Sequence, residues 1–144
     1  GPVLEHEEQN VVFRLGSESY GIDIFRVNEI IRLREITPIP KSEAHIRGLV
    51  NLRGKTIPVV DLRTRFFLPR SEDTDSTRII VVESEQGNVG VVVDAVTEVI
   101  TVQPEQVDET PQLVANVASD FVRGVAKQQD HLITLLNLDQ ALAS

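Results

Sequence analysis

"IRGLVNLRGKTIPVVDL", Ile46 to Leu62, is one copy of a motif that the chain writes twice. The second copy is "VRGVAKQQDHLITLLNL", Val122 to Leu138, which aligns without a gap at an offset of 76. Arg47-Gly48 meets Arg123-Gly124, Ile57 meets Ile133 and Leu62 meets Leu138. Upstream of each copy a further block repeats at an offset of 69: "YGIDIFRVNEII" (Tyr20 to Ile31) matches "VGVVVDAVTEVI" (Val89 to Ile100). Gly21 falls on Gly90, Val27 on Val96, Glu29 on Glu98 and Ile31 on Ile100. Two blocks in the same order mark an internal duplication. The larger second offset places a longer connection around Gln103 to Asp120.

Short β-branched runs separated by turn residues recur through both copies. Val11–Leu15 with Tyr20–Ile24, Leu49–Leu52 with Thr56–Val60, and Ile79–Val82 with Val89–Val93 each read as a hairpin around a Gly-containing turn. The apolar spacing of Phe25 to Ile31 fits a short helix or an extended connection equally. Asp61 is placed to cap a short helix over Leu62 to Phe67, which Pro69 ends. The polar, acidic segment Pro69 to Thr77 reads as a linker, dividing the chain into halves at 11–68 and 78–144. Closely spaced strands with hardly any helix point to small barrels, because parallel α/β sheets need connections of about a dozen residues. A half of roughly 70 residues is marginal as an independent core, so the two are expected to pack together and share one.

The composition excludes several classes of function. At 144 residues, 41% hydrophobic and 25% charged, the chain has the balance of a single globular domain. No apolar run approaches the roughly 20 residues that span a bilayer, so no membrane insertion is expected. The absence of cysteine removes disulfides, thiol nucleophiles and thiolate metal sites, and fits a reducing cytosol. Gly1-Pro2, in a chain without Met, reads as a processed end and is set aside. A net charge of −8 and 4% aromatic residues argue against nucleic acid as a partner. The charge is uneven. Residues 1–70 carry 11 Lys/Arg against 9 Asp/Glu, whereas residues 71–144 carry 3 against 13. Such asymmetry can orient a partner.

No catalytic or metal constellation is legible, so no enzyme activity and no cofactor are expected. His6, His45 and His131 are scattered, and three or four ligands at metal spacing are missing. Glu72, Asp73 and Asp75 lack the central Gly and closing Glu of a calcium loop and read as solvated linker. Phosphate-binding and nucleophile-elbow glycine motifs do not occur.

The duplication separates scaffold from candidate site. Arg47-Gly48 and Arg123-Gly124 stand in both copies and read as structural: the glycines allow a bend or close approach. The arginines are expected to satisfy carbonyls at the barrel ends or to lie on the surface. By contrast Arg53-Gly54-Lys55 faces Gln129-Asp130-His131 in the second copy, and Pro58 faces Thr134. A guanidinium projecting from a tight turn is held ready to fork onto carboxylates or carbonyls. Proline within the apolar run predicts an edge strand or a bulge there. A rigid Arg turn beside an exposed strand edge suggests docking.

The stretches "YGIDIFRVNEI", "ITPIP", "IRGLVNLRGKTIPVVDLRTRF", "VGVVVDAVTEVI" and "LITLLNLDQAL" together resemble the CheW-like domains of bacterial chemotaxis, over about residues 8–144. The resemblance implies an all-β fold of two intertwined, pseudo-symmetric, five-stranded SH3-like β-barrels with short helices. It implies a non-enzymatic adaptor in the cytoplasm, recruited to membrane-associated receptor arrays, that couples the cytoplasmic tips of chemoreceptors to the regulatory domain of the histidine kinase CheA. Ring contacts between copies of the adaptor are a further implied partner. With no receiver or kinase sequence in the 144 residues, the chain resembles a stand-alone coupling protein. The alternatives are a regulatory domain belonging to CheA or CheV, or a paralogue in a pathway that does not control swimming. Carried over by residue, the receptor-binding positions are Val27, Glu29, Arg53, Gly54, Gly90, Val96 and Val99. Glu98 weakens a unique role for Glu29, and kinase-contacting positions are not assigned.

Overall fold

The computed structural model describes residues 3–69, 71–109 and 119–143. Eleven strands lie in two sheets. They are β1 (Glu8–Leu15), β2 (Glu18–Asp23), β3 (Val27–Arg32), β4 (Ile46–Leu52), β5 (Lys55–Asp61), β6 (Arg78–Ser84), β7 (Gly87–Val93), β8 (Ala95–Val102), β9 (Val107–Asp108), β10 (Val122–Gln128) and β11 (His131–Leu136). Two short helices follow β5 and β11: α1 (Leu62–Arg65) and α2 (Leu138–Leu142). The expected all-β class and the hairpins are present. The ambiguous Phe25 segment resolves into a 3-10 turn, Ile24–Arg26, followed by strand β3.

The sheets do not follow the halves. The first has the order β8-β1-β2-β11-β10-β9 and the second β3-β6-β7-β5-β4. Each hairpin β1–β2 or β6–β7 is therefore flanked by strands of the other half. β2 runs parallel to β11 (Ile133 beside Ser19), and β5 runs parallel to β7 (Val59 beside Gly90). The halves thus contribute strands to each other's sheet. The linker joins α1 to β6, and its described part, 71–77, contains no helix or strand.

Both sheets roll up in the same way. Five residues past β3, Thr37 exchanges two backbone hydrogen bonds of 2.8 Å with Leu49 on β4, at the opposite end of the second sheet. Beyond β8 the chain turns through Pro104–Gln106 and pairs on β10 as β9, at the opposite end of the first sheet. Gly48 and Gly124 sit at these crossings. A Cβ on Gly48, whose φ is +147°, would lie 2.2 Å from the Thr37 carbonyl oxygen. One on Gly124 would lie 2.8 Å from Val107 Cγ1 and 2.9 Å from the Asp108 carbonyl oxygen. A register shift in the β4–β5 and β10–β11 ladders falls at each glycine, and such bulges bend a strand. The duplicated glycines are where the rolled sheets meet their own returning chain.

Because each sheet is rolled, its central strands are buried on both faces and read as continuous apolar runs. On β6, Ile79 and Val81 enter the second sheet's own core, while Ile80 and Val82 enter a core shared by both sheets. On β1, Val12 enters the first sheet's own core, while Val11 and Phe13 enter the shared one. Four of the six aromatic residues run through the shared core as Phe13, Tyr20, Phe66 and Phe121, with successive centroids 5.8, 6.0 and 5.3 Å apart. Burying a ring of this size stabilises by about 1.5–3 kcal/mol. Arg65 of α1 lies 4.8 Å over Phe121 and donates to the Ala141 and Ala143 carbonyls at the end of α2.

Two ion pairs of opposite polarity tie the sheets where the chain crosses between them. Asp94, between β7 and β8, accepts from Arg63 of α1 at Nε (2.7 Å) and Nη2, and from the Gly16 N–H in the β1–β2 turn (2.6 Å). Arg26, between β2 and β3, donates to Asp139 of α2 (2.7 Å) and to the Glu83 carbonyl on β6 (2.8 Å). Arg63 and Asp139 occupy the same place in the repeat, 76 residues apart, whereas Arg26 aligns with Ala95, the neighbour of Asp94, so the two pairs have reversed charge at similar but not identical places.

Two local expectations change. The helix after Asp61 ends at Arg65 rather than Phe67. Asp61 caps it as expected, but Phe67 turns left-handed (φ +59°), and the Phe67 and Leu68 N–H groups close back onto Thr64 and Arg63. β5 is not an edge strand, since it lies between β7 and β4. Pro58 is tolerated because the β5–β7 ladder begins only at Val59, so no partner strand awaits the missing donor.

Gly48→Ala should lower stability by about 1–3 kcal/mol, and by more than Gly124→Ala, read from urea midpoints. Burial raises the Asp94 pKa, but the Arg63 hydrogen bonds, the Gly16 N–H and the Arg63 charge outweigh it, leaving the carboxyl below its ordinary 3.8. A depressed carboxylate contributes stability that is complete above the unfolded pKa and is lost as pH falls through the folded one. Asp94→Asn should therefore be less stable than the parent near neutral pH, with the gap closing below about 3.8 in acid titrations.

Candidate functional site

Arg53 and Gly54 form the two-residue turn between β4 and β5, with φ of +50° and +80°. Both central residues with positive φ make the turn that matches the twist of a hairpin. Asn51 fixes it by accepting the Gly54 N–H at its side-chain Oδ1 (3.1 Å). A non-glycine residue held at positive φ has little freedom to wander, so the Arg53 stem leaves the turn in a defined direction.

That direction leads to Glu29. Arg53 donates from Nη1 to Glu29 Oε1 at 3.3 Å and from Nη2 to Oε2, as a two-armed fork. β3 and β4 are the two ends of the second sheet's strand order, so only the rolling of the sheet brings Glu29 and Arg53 together. The Arg53 side chain remains 71% exposed against 27% for Glu29, which leaves the outer face of the guanidinium to solvent. The pair borders a cleft of about 350 Å³ that includes Asn28, Lys55, Ile57 and Asn88. Asn28 donates to Asn88 across it (2.8 Å).

A register shift between Val27 and Glu29 divides β3. Val27 packs against the shared core, whereas Glu29 sits opposite Val81, at the mouth of the second sheet's own core. β8 repeats the arrangement, with Val96 packed on the shared core and Glu98 opposite Val12 at the first sheet's core. Glu98, however, makes no ion pair among the described residues, since Gln129 stands where Arg53 does. The Arg–Glu fork is the asymmetric feature of a symmetric frame.

The remaining carried-over positions divide by burial. Val99 on β8 is 52% exposed beside Val11 of β1. Val27 and Val96 are half-buried, one on an edge strand of each sheet, at the seam between them. Gly90 is inside: it pairs with Val81 and Val59, and a Cβ there would meet Ile79 Cγ2 at 2.8 Å. Its identity is explained by packing between β6 and β5, and it presents no surface.

The duplicated arginines satisfy carboxylates rather than carbonyls, and each ties a distant segment. Arg47 forks onto Asp73 of the linker, so that acidic segment is anchored at this point. Arg123 forks onto Glu8 of β1, with both hydrogen bonds 3.0 Å. Burial raises the Glu8 pKa, but hydrogen bonds from Arg123 and Asn10 and the Arg123 charge bring it below the ordinary value. Among the described residues no group of three His, Asp or Glu side chains converges as metal ligands would, and no helix is long and apolar enough to cross a membrane.

Known proteins share this frame. The family described as CheW-like domain matches residues 9–144. The chain is 31% identical to the chemotaxis protein CheW of Treponema pallidum (strain Nichols), over 100% of this chain and 93% of that protein. It is 33% identical to CheW of Bacillus subtilis (strain 168), covering 94% and 86%. The crystal structure of the scaffolding protein TtCheW from Thermoanaerobacter tengcongensis superposes with a TM-score of 0.88 at 38% identity, over 98% of this chain and 91% of that one. With the duplicated blocks, the two rolled sheets and the whole described chain inside these matches, the protein belongs to the CheW family of chemotaxis scaffold proteins.

Proposed function

We propose that the protein is a non-enzymatic adaptor that couples the cytoplasmic tips of chemoreceptors to the regulatory domain of the histidine kinase CheA. It acts in the cytoplasm at membrane-associated receptor arrays. Arg53 is the observation that carries this reading. A guanidinium with no counterpart in the second copy is fixed by its turn and by Glu29, and most of it faces solvent. Preorganised Arg side chains are favoured anchors at protein interfaces, because little freedom is lost when they bind.

The seam supplies the apolar part. A helical partner laid in a groove needs a stripe of apolar contacts, and Val27, Val96 and Val99 offer one on the edge strands β3 and β8. Glu29 acts by aiming Arg53, and Gly54 by permitting the turn. Gly90 acts only through packing. The kinase domain, and further copies of the adaptor in a ring, would meet other faces. The excess of Lys/Arg in residues 1–70 and of Asp/Glu in 71–144 favours head-to-tail contact between unlike surfaces.

Arg53→Glu should weaken binding of a receptor cytoplasmic fragment by about tenfold or more, while the urea midpoint stays near the parent value and binding of the CheA regulatory domain persists. Receptor affinity unchanged by Arg53→Glu in a calorimetric titration would remove Arg53 from the site. Arg123→Glu should do the reverse. It sets like charges together at Glu8 and lowers stability by about 1–3 kcal/mol, with receptor affinity of the folded protein retained.

A further inference from the structure

Arg26, Arg47, Arg53, Arg63 and Arg123 each pair with a carboxylate. Arg32 and Arg78 make no ion pair among the described residues, although the chain carries 22 Asp and Glu. The β3–β6 register nevertheless places them as direct cross-strand partners. Like charges directly opposite on adjacent strands repel, so the register holds two cations together with no ion pair to either among the described residues. Arg78 is fixed, donating from Nη1 to the carbonyl oxygens of Asp75 (2.8 Å) and Thr77 (2.9 Å). Its Nη2 and Nε donate to no protein group among the described residues. Arg32 is exposed and makes no side-chain hydrogen bond among the described residues.

Both arginines border a cleft of about 500 Å³, with Leu33, Thr74, Asp75 and Thr77. Thr77 is 5% exposed and accepts the Thr74 N–H at 2.8 Å, which locks the turn before β6. One cation is thus anchored by backbone carbonyls and its partner is exposed, both at the rim of the same cleft. We infer that the paired guanidiniums of Arg32 and Arg78 form a binding site for a small phosphate-type polyanion, with inorganic pyrophosphate and phosphate esters as the ligand class.

Two guanidinium forks match a tetrahedral oxyanion carrying two charges, and charge-assisted hydrogen bonds of this kind are the strong ones. A cleft of about 500 Å³ falls in the size range of small-molecule sites, which favours a small anion over an acidic protein surface. The Asp75 carboxylate borders the same cleft, and its charge opposes the ligand. This makes a prediction of opposite sign available. The site is independent of the adaptor reading, since none of its residues belongs to the proposed receptor surface.

The test is titration of the isotope-labelled full chain with inorganic pyrophosphate at physiological ionic strength, followed by amide chemical shifts and by calorimetry. Saturable shifts confined to Leu33 and Thr74–Arg78 are expected. Arg32→Gln and Arg78→Gln should each weaken binding by about tenfold, and Asp75→Asn should tighten it. Arg32→Gln removes no hydrogen bond among the described residues, so it serves even if Arg78→Gln disturbs the turn. Shifts spread equally over Arg14, Arg53 and Lys55, or affinity unchanged in Arg32→Gln, would overturn the site. Tighter binding of a hexaglutamate peptide at the same amides would replace it with a protein-docking patch.

Discussion

The rolled shape of each sheet rests on one close backbone approach. In the second sheet the chain beyond β3 returns to β4 and places the Thr37 carbonyl where a Cβ on residue 48 would stand. In the first sheet the segment Val107–Asp108 does the same over residue 124. Two features of the fold depend on these closures. They bury the second faces of the central strands, and they bring the two ends of the second sheet near enough for Arg53 to reach Glu29. Without the glycines the sheets would have to open, and the Arg53 guanidinium would lose the carboxylate that aims it.

A second level of constraint comes from the exchange of strands. Neither half holds a complete sheet, because β1–β2 depends on β8 and β11 while β6–β7 depends on β3 and β5. The chain therefore crosses between the sheets at Asp23–Val27 and at Val93–Ala95, and each crossing carries an ion pair. Arg26–Asp139 and Arg63–Asp94 fill similar places with reversed charge, Arg63 aligning with Asp139 and Arg26 with the neighbour of Asp94. Coulomb attraction is indifferent to which partner is the cation, so a duplicated frame can invert a pair without losing it.

Duplication followed by divergence also explains where a docking surface can arise. Positions that close the sheets must stay the same in both copies, as Gly48 and Gly124 have. The turn after β4 has no such duty, since its twin is Gln129-Asp130, and it could acquire a guanidinium. Glu29 and Glu98 stand at the mouths of the two small cores, but only the first has gained a cation. Asymmetry of this kind gives a pseudo-symmetric scaffold one face that differs from its mate, as contact with unlike partners requires.

Much of this was legible in the residues. The repeated Arg-Gly blocks, the alternation of short apolar runs with turns, and the Asp61 cap gave the duplication, the hairpins and the all-β class, because hydrophobic period and turn chemistry are local. The single-copy Arg53 marked the candidate surface for the same reason. What strings of residues could not give were relations between distant segments. The partners of Arg47 and Arg123, the hub at Asp94, the internal place of β5 and the burial of Gly90 all depend on which strands lie side by side. Asp94 aligns with Phe25 in the repeat, so even the duplication hid it. The sequence by itself determined that two similar β units would form and where they differ. Only the tertiary structure decided that they exchange strands and roll, because pairing across the halves follows from shared burial of both sheet faces, which no local pattern encodes.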